Sequence, residues 1–202
     1  SEDRRPHRYG QLLQMSLGDG ASYAPESQSS PLVSPGEFRF GVTHLDHDHI
    51  YGQTQGLIDA GGLLVSVYDP DEARLNAFLK AFPQTKPVKS LSLILEDPSL
   101  SLIASAAVPD QRADLGVQVM RHGKDYFTDK SPFTTLQQLS RVKRVVEETN
   151  RRYFVYYAER LHNEAAWHAG QLLSQGAIGR VLHVLSIAPH RLSPSTRPEW
   201  FF

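Results

Sequence analysis

The sequence predicts an α/β protein with a doubly wound parallel sheet, followed by the truncated start of an α+β second domain. From Glu37 onward, short apolar runs alternate with amphipathic segments of about 10 to 15 residues, the pattern of successive βαβ units. The run at 100–107 is almost continuously apolar, as expected of a strand that is buried on both faces. A length of 202 residues has room for one domain and part of another.

The elements follow from apolar periodicity and from turn residues. Gly61 and Gly62 end the first helix, and Pro83 ends the second. Six strands are predicted, at 38–43, 63–68, 87–89, 100–107, 125–128 and 153–157. Five helices are predicted between them: four at 50–60, 72–82, 110–122 and 134–149, and one through Leu91, Ile94 and Leu95. Because the strands of such a sheet are parallel, we expect a ligand beyond their carboxyl ends, near the topological switch point.

Composition divides the chain and excludes several classes of function. Residues 1–36 are rich in Pro, Ser and Gly and read as a flexible arm, residues 37–158 as the sheet domain, and 159–202 as the incomplete second domain. Zero cysteines exclude a disulfide framework and a thiolate metal site. A net charge of −1 argues against nucleic acid as a partner, and no apolar run is long enough for a membrane span.

The turn after the first strand reads Thr43-His-Leu-Asp-His-Asp-His49, where dinucleotide-binding folds usually carry Gly-x-Gly-x-x-Gly. Here His44, Asp46 and His49 stand at the three glycine positions. One interpretation is an atypical cofactor turn that uses these three residues and Thr43. A second is a polar helix N-terminus that is capped by Asp46 or Asp48.

The third interpretation is a metal site at His44, His47 and His49, because the turn differs at one defining position from the zinc motif Thr-His-x-His-x-Asp-His of the metallo-β-lactamase fold. That fold is built on antiparallel sheets, whereas this chain alternates strands and helices. We therefore assign no metal ligands from the sequence.

Asp69 ends the second strand 20 residues after His49. An acidic side chain at this place can accept hydrogen bonds from an adenosine ribose and would repel a 2′-phosphate, which favours NAD over NADP. The same residue also fits an ordinary helix start, since Asp69-Pro70-Asp71-Glu72 is a strong N-terminal signal. The two roles are compatible.

Later motifs resemble the glucose–fructose oxidoreductase/inositol dehydrogenase family (Gfo/Idh/MocA). They are Ala106-Ala-Val-Pro109-Asp-Gln-Arg, Gly123-Lys-Asp-Tyr-Phe-Thr-Asp129-Lys130-Ser-Pro132, Tyr157-Ala-Glu-Arg160 and Leu172-Leu-Ser-Gln-Gly-Ala-Ile-Gly-Arg-Val181. The first is similar to the family's Thr-Pro-like turn, and the second to its Gly-Lys-x-Val strand that ends in Glu-Lys-Pro. The last is similar to the helix–Gly–Ile-Gly–strand segment that opens the second domain.

The resemblance implies a Rossmann-like dinucleotide-binding domain and an NAD(P)-dependent oxidoreductase. Such an enzyme moves a hydride between nicotinamide and a sugar, cyclitol or related polyol or ketone. Lys130 would be the catalytic residue, and NAD is preferred to NADP. We also expect a cytoplasmic protein that forms a homo-oligomer through its second domain. The resemblance further implies cofactor-binding roles for Ala107, Pro109, Asp129 and Arg160.

The sequence departs from the family pattern at three places. The phosphate-binding glycines are absent, a frequent family histidine falls at Ala113, and no Asp-x-x-x-His acid–base pair follows Val181. We therefore expect the 202-residue chain alone to be inactive. The departures keep two alternatives open: a non-catalytic scaffold or sensor that has lost the nucleotide, and a metal-dependent hydrolase that uses the His44–His49 cluster.

Overall fold

A computed structural model describes residues 30–158, 163–187 and 194–202. Six parallel strands form one sheet in the order β3-β2-β1-β4-β5-β6. The strands are β1 Arg39–Thr43, β2 Leu63–Tyr68, β3 Lys86–Pro87, β4 Leu102–Ser105, β5 Asp125–Asp129 and β6 Tyr153–Tyr156. This strand order is that of the doubly wound dinucleotide-binding fold, so the predicted fold class is confirmed.

In the described part of the chain, five helices connect the strands, and a sixth follows β6. They are α1 His49–Asp59, α2 Glu72–Ala81, α3 Leu91–Leu95, α4 Arg112–Arg121, α5 Leu136–Thr149 and α6 Glu164–Ser174. The predicted order and type of the elements through residue 156 are correct, with ends that differ by a few residues. The predicted strand at 100–107 is the largest difference: only Leu102–Ser105 pair with neighbours.

Alternation along the central strands produces two apolar layers. Phe40 and Val42 belong to one buried cluster, together with Phe78 of α2, while Ile103 and Tyr126 belong to a cluster with Leu115 of α4. Successive side chains of a strand point to opposite faces of a sheet, so these clusters lie on its two sides. Burial on both faces explains why the central strands read as continuous apolar runs.

Two helix starts follow the sequence signals closely. The Asp71 side chain accepts from the amides of Ala73 and Arg74, so the predicted start of α2 is confirmed. A capping box between Thr135 and Gln138 begins α5. These caps determine where each helix begins, four residues after the end of β2 for α2 and seven residues after the end of β5 for α5.

The chain outside the sheet domain is described in part. Residues 1–29 of the predicted arm lie outside the described residues, whereas the Leu32 amide donates to the Ala60 carbonyl at 2.8 Å, beside the turn that ends α1. A separate compact unit contains α6 and two short 3-10 turns, Pro194–Thr196 and Glu199–Phe201.

Residues 181–187 are described without helix or strand assignment, and the start of a second α+β domain stays a prediction. None of the helices in the described ranges combines the length and apolar character that crossing a bilayer requires.

Candidate functional site

The switch point lies between β1 and β4, whose connections leave the sheet toward opposite sides. Several predicted site residues lie at this carboxyl edge: Thr43 ends β1, Asp69 follows β2, and Asp129 ends β5. Ala107 and Pro109 follow β4, and Lys130 follows β5. The sheet therefore places these residues along a common edge. Arg160 lies outside the described residues, so its role stays a prediction.

The turn after β1 adopts a glycine-like backbone without a glycine. His44, at the first glycine position, has a φ of 54°, in the left-handed region that non-glycine residues rarely adopt. Its Nδ1 lies 2.9 Å from the Thr43 hydroxyl, and its ring lies edge-on to Tyr68. Burial lowers the pKa of His44 more than the nearby Asp46 and Asp69 carboxylates raise it. This histidine is therefore held neutral around pH 7.

Asp69 stabilises the turn after β1 through hydrogen bonds. Its side chain is fully buried and accepts from the Leu45 amide at 2.6 Å and from the Asp71 amide at 2.8 Å. Arg74 donates to the same carboxylate through Nε and Nη2, both at 3.1 Å. Each carboxylate oxygen is thus engaged inside the protein. The ribose-binding role of Asp69 stays a prediction.

Arg74 connects three carboxylates near this end of the sheet. Its guanidinium lies 3.2 Å from Asp46 as well as 3.1 Å from Asp69, and 3.8 Å from Asp71. Burial, together with the Asp69 charge, raises the pKa of Asp46 despite the neighbouring arginine. One cation for three carboxylates leaves this region negative.

A second charged group surrounds Asp129. His49 Nδ1 donates to its Oδ1 at 2.9 Å, His47 Nδ1 lies 3.8 Å from its Oδ2, and Arg112 Nη2 lies 3.4 Å from the same Oδ2. The carboxylate and the guanidinium are each only 1% exposed. Although burial alone would raise it, the hydrogen bond from His49 and the nearby positive groups hold the pKa of Asp129 below its ordinary value. Asp129 is therefore ionised at neutral pH.

His49 lies next to Asp129 because α1 and β5 contact each other at two places that are about equally spaced along both elements. Gln53 lies one turn after His49 on α1 and donates through Nε2 to the Phe127 carbonyl at 2.7 Å, two residues before Asp129 on β5. Four residues of helix advance about 6 Å, and two residues of strand advance about 6.6 Å. The pairs His49–Asp129 and Gln53–Phe127 therefore align the helix with the strand.

The carboxyl end of β4 is small and buried. Ala106 and Ala107 are fully buried and have no side chain beyond Cβ. Arg112 Nε donates to the Ala107 carbonyl at 2.6 Å, and Arg112 Nη1 donates to the Ser131 carbonyl at 3.1 Å, beside Lys130. Arg112 therefore connects the turn after β4 with the turn after β5.

The geometry separates the interpretations of the turn after β1. Asp48 is the N-cap residue of α1, but its side chain makes no cap hydrogen bond, so the capping interpretation is wrong for Asp48. His47 and His49 lie together, whereas His44 is not part of their group; the third member is Asp129. The predicted trio of histidines is therefore not the arrangement that the fold forms.

Sequence reasoning missed Arg112 and placed His47 only in the metal hypothesis. A signal for Arg112 was present, since an arginine three residues after Pro109 begins a helix at the functional edge. Its burial and its carboxylate partner, 17 residues away, appear only in the fold.

The family comparison agrees with this geometry. The model of the Gfo/Idh/MocA oxidoreductase family, with an NAD-binding Rossmann fold, matches residues 41–157. The chain belongs to this family. The matched residues run from β1 to the end of β6, so they include both charged groups described above. No curated protein matches the sequence.

Solved structures share the fold. A protein from Erwinia carotovora assigned as an oxidoreductase is 42% identical, with a TM-score of 0.69, and the match covers 71% of this chain and 43% of that one. A protein from Sinorhizobium meliloti assigned as a myo-inositol dehydrogenase is 21% identical, with a TM-score of 0.63 and coverage of 70% and 42%.

The dehydrogenase WlbA from Chromobacterium violaceum, solved with NADH and UDP-GlcNAcA, is 16% identical, with a TM-score of 0.61 and coverage of 76% and 44%. The last two matches, at this low identity, show the fold alone. The chain spans less than half the length of each of these three proteins.

Proposed function

We propose that this family member binds NAD at the carboxyl edge of its sheet and transfers a hydride between the nicotinamide and a sugar, cyclitol or related polyol or ketone. The observation that carries the proposal is the position of Lys130, directly after the buried Asp129 at the end of β5, on the edge where doubly wound sheets bind ligands. The substrate class rests on the family resemblance of the sequence motifs and on the match to the oxidoreductase family.

Two features of the edge support a bound dinucleotide. The Asp48 side chain makes no cap hydrogen bond to α1, so the positive end of the helix dipole favours a pyrophosphate there, although the His49 amide already donates to His47 Nδ1. Ala106 and Ala107, which have small side chains, follow β4 at the same edge of the sheet. The residues we propose to hold the cofactor are Thr43, His44, Asp46, His49, Asp69, Ala107, Pro109, Asp129 and, outside the described residues, Arg160.

The negative region at the end of β2 supports NAD rather than NADP. Arg74 is shared by Asp46, Asp69 and Asp71, so a 2′-phosphate placed there would meet excess negative charge. Because the Asp69 oxygens are already engaged, we attribute the preference to this repulsion rather than to a new hydrogen bond from the ribose.

Lys130 would act on the substrate oxygen. Nicotinamide supplies or accepts the hydride at its C4. Lys130 Nζ would hydrogen-bond the oxygen on the reacting carbon and donate or receive its proton as that carbon is reduced or oxidised. Arg112 would keep the Lys130 turn in place through its bond to the Ser131 carbonyl.

Steady-state kinetics of the full-length protein test this role. With NAD⁺ and a panel of polyols and cyclitols, we expect formation of NADH, and we expect Lys130→Ala to lower kcat by at least about tenfold, or roughly 1.4 kcal/mol of transition-state stabilisation. Lys143→Ala, which changes an exposed lysine of α5, is the matched control and should leave kcat unchanged. An unaltered rate in Lys130→Ala would remove Lys130 from catalysis.

The second candidate is a non-catalytic scaffold or sensor. The Leu45 amide donates to Asp69, whereas in a glycine-rich turn such an amide is free to bind a phosphate. This hydrogen bond favours the scaffold or sensor. Dinucleotide binding to the full-length protein would decide against this candidate, and the same protein without any dinucleotide affinity would support it.

A further inference from the structure

The group around Asp129 has the composition of a transition-metal site. His47, His49 and Asp129 each offer one ligand atom, and these three atoms all lie within 4.8 Å of one another. Two imidazoles and one carboxylate form the ligand set of many catalytic zinc sites, which keep a further position open. The sequence alone did not indicate this set, since Asp129 lies 80 residues after His49.

The hydrogen bonds within the group place two hydrogen-bond acceptors, His47 Nδ1 and Asp129 Oδ2, near each other. The His49 amide donates to His47 Nδ1 at 3.1 Å, so this nitrogen presents its lone pair as an acceptor. The same nitrogen lies 3.8 Å from Asp129 Oδ2, an oxygen of a buried carboxylate. Two acceptor atoms at this distance repel each other, and a cation between them would remove the repulsion.

Only small movements would form the site. Zinc–nitrogen and zinc–oxygen bonds of about 2.0–2.1 Å at tetrahedral angles separate the ligand atoms by about 3.3 Å. His49 Nδ1 and Asp129 Oδ1 are 2.9 Å apart, and His47 Nδ1 and Asp129 Oδ2 are 3.8 Å apart, one slightly below and one slightly above this spacing. His47 is 13% exposed, so the group is accessible from solvent.

We propose that His47, His49 and Asp129 bind one Zn²⁺ ion, with an open coordination position for an oxygen of a small ligand. On binding, His49 would carry its proton on Nε2 instead of on Nδ1, so that Nδ1 exchanges its hydrogen bond to Asp129 for a bond to the ion. Arg112 lies 3.4 Å from Asp129 Oδ2 and would remain beside the ion as a second positive charge. Its repulsion lowers the affinity of the site and favours an anionic or oxygen-rich ligand at the open position. The inference does not depend on the proposed hydride transfer, because the metal is tested in the absence of dinucleotide.

Isothermal titration of the full-length protein with ZnCl₂ tests the site. We expect one ion per chain, and His47→Ala should weaken binding by at least about tenfold. Asp129→Asn should weaken it similarly. His122→Ala, which removes an exposed histidine after α4 at the opposite edge of the sheet, should leave the affinity within about twofold.

Cobalt supplies a readout specific to the geometry. Co²⁺ in a four-coordinate site of nitrogen and oxygen ligands absorbs strongly in the visible range, and this band should be present in the wild type and absent in His47→Ala. Because His47 is partly exposed, this variant should fold even where Asp129→Asn does not, which circular dichroism checks. Absence of stoichiometric zinc binding, or wild-type affinity in a folded His47→Ala variant, would overturn the proposal.

Discussion

Two buried carboxylates flank the switch point, and the protein satisfies them in opposite ways. Asp69, after β2, accepts hydrogen bonds from two backbone amides and from Arg74. It therefore connects the turn after β1 with the start of α2. The described hydrogen-bond partners of Asp129, at the end of β5, are side chains: the ring of His49 and the guanidinium of Arg112. Backbone amides cannot leave Asp69 without moving the chain, whereas side chains can turn away from Asp129 when a ligand arrives.

This difference separates a structural carboxylate from one that is available for chemistry. Asp69 holds the left-handed His44 backbone in place by binding the next amide along the chain. The rings of His47 and His49 and the guanidinium of Arg112 surround Asp129, which lies where the family carries its Glu-Lys-Pro motif. Substitutions at the two positions should therefore differ in kind as well as in size.

The largest effect is expected at Asp129. Replacement by alanine leaves the guanidinium of Arg112, which is 1% exposed, as a buried charge without its carboxylate. Removing one partner of a buried ion pair typically costs about 3–5 kcal/mol, and we expect a loss of about 4 kcal/mol in the free energy of unfolding. Urea denaturation measures this loss.

The double variant Asp129→Ala/Arg112→Met is the control for that interpretation. Because it removes the unpaired charge while keeping a long apolar side chain, it should be more stable than Asp129→Ala alone. A double variant less stable than the single one would mean that Arg112 contributes mainly through its bonds to the Ala107 and Ser131 carbonyls.

A smaller effect is expected at Asp69. Asp69→Asn loses the negative charge that faces Arg74 and replaces one acceptor with an amide nitrogen, so the free energy of unfolding should fall by about 2 kcal/mol. Zinc binding should be unchanged, because Asp69 is not a member of the group of His47, His49 and Asp129.

Asp71→Asn is the matched control for Asp69→Asn. Asparagine caps a helix about as well as aspartate, so this exposed position should tolerate the change with almost no loss of stability. An equal loss in the free energy of unfolding for the two variants would contradict the conclusion that Asp69 stabilises the turn after β1.

Much of the fold was accessible from sequence because apolar periodicity is local. The strands and helices between residues 38 and 156 were predicted in the correct order, since each is defined by neighbours within about 15 residues. The strand at 100–107 was predicted too long, because Ala106 and Ala107 are buried beyond the end of β4, although the Ala106 amide still donates to the His44 carbonyl. An apolar run reports burial and does not report which residues pair.

The site was accessible only in part because its contacts are distant in sequence. Asp69 and Asp129 were placed at the functional edge by the strand pattern. Their partners were not, since Leu45 is 24 residues from Asp69, and His49 is 80 residues from Asp129. The reading of His44, His47 and His49 as one cluster failed because backbone geometry turns the His44 ring toward Thr43 and Tyr68.

The central claim is that this edge of the sheet binds NAD, and calorimetric titration of the full-length protein with NAD⁺ and NADP⁺ tests it most directly. We predict saturable binding of NAD⁺ in a one-to-one ratio and weaker binding of NADP⁺, because the Asp46, Asp69 and Asp71 carboxylates repel the 2′-phosphate. The absence of heat from either dinucleotide at millimolar concentration would contradict the account, and tighter binding of NADP⁺ would contradict its electrostatic part.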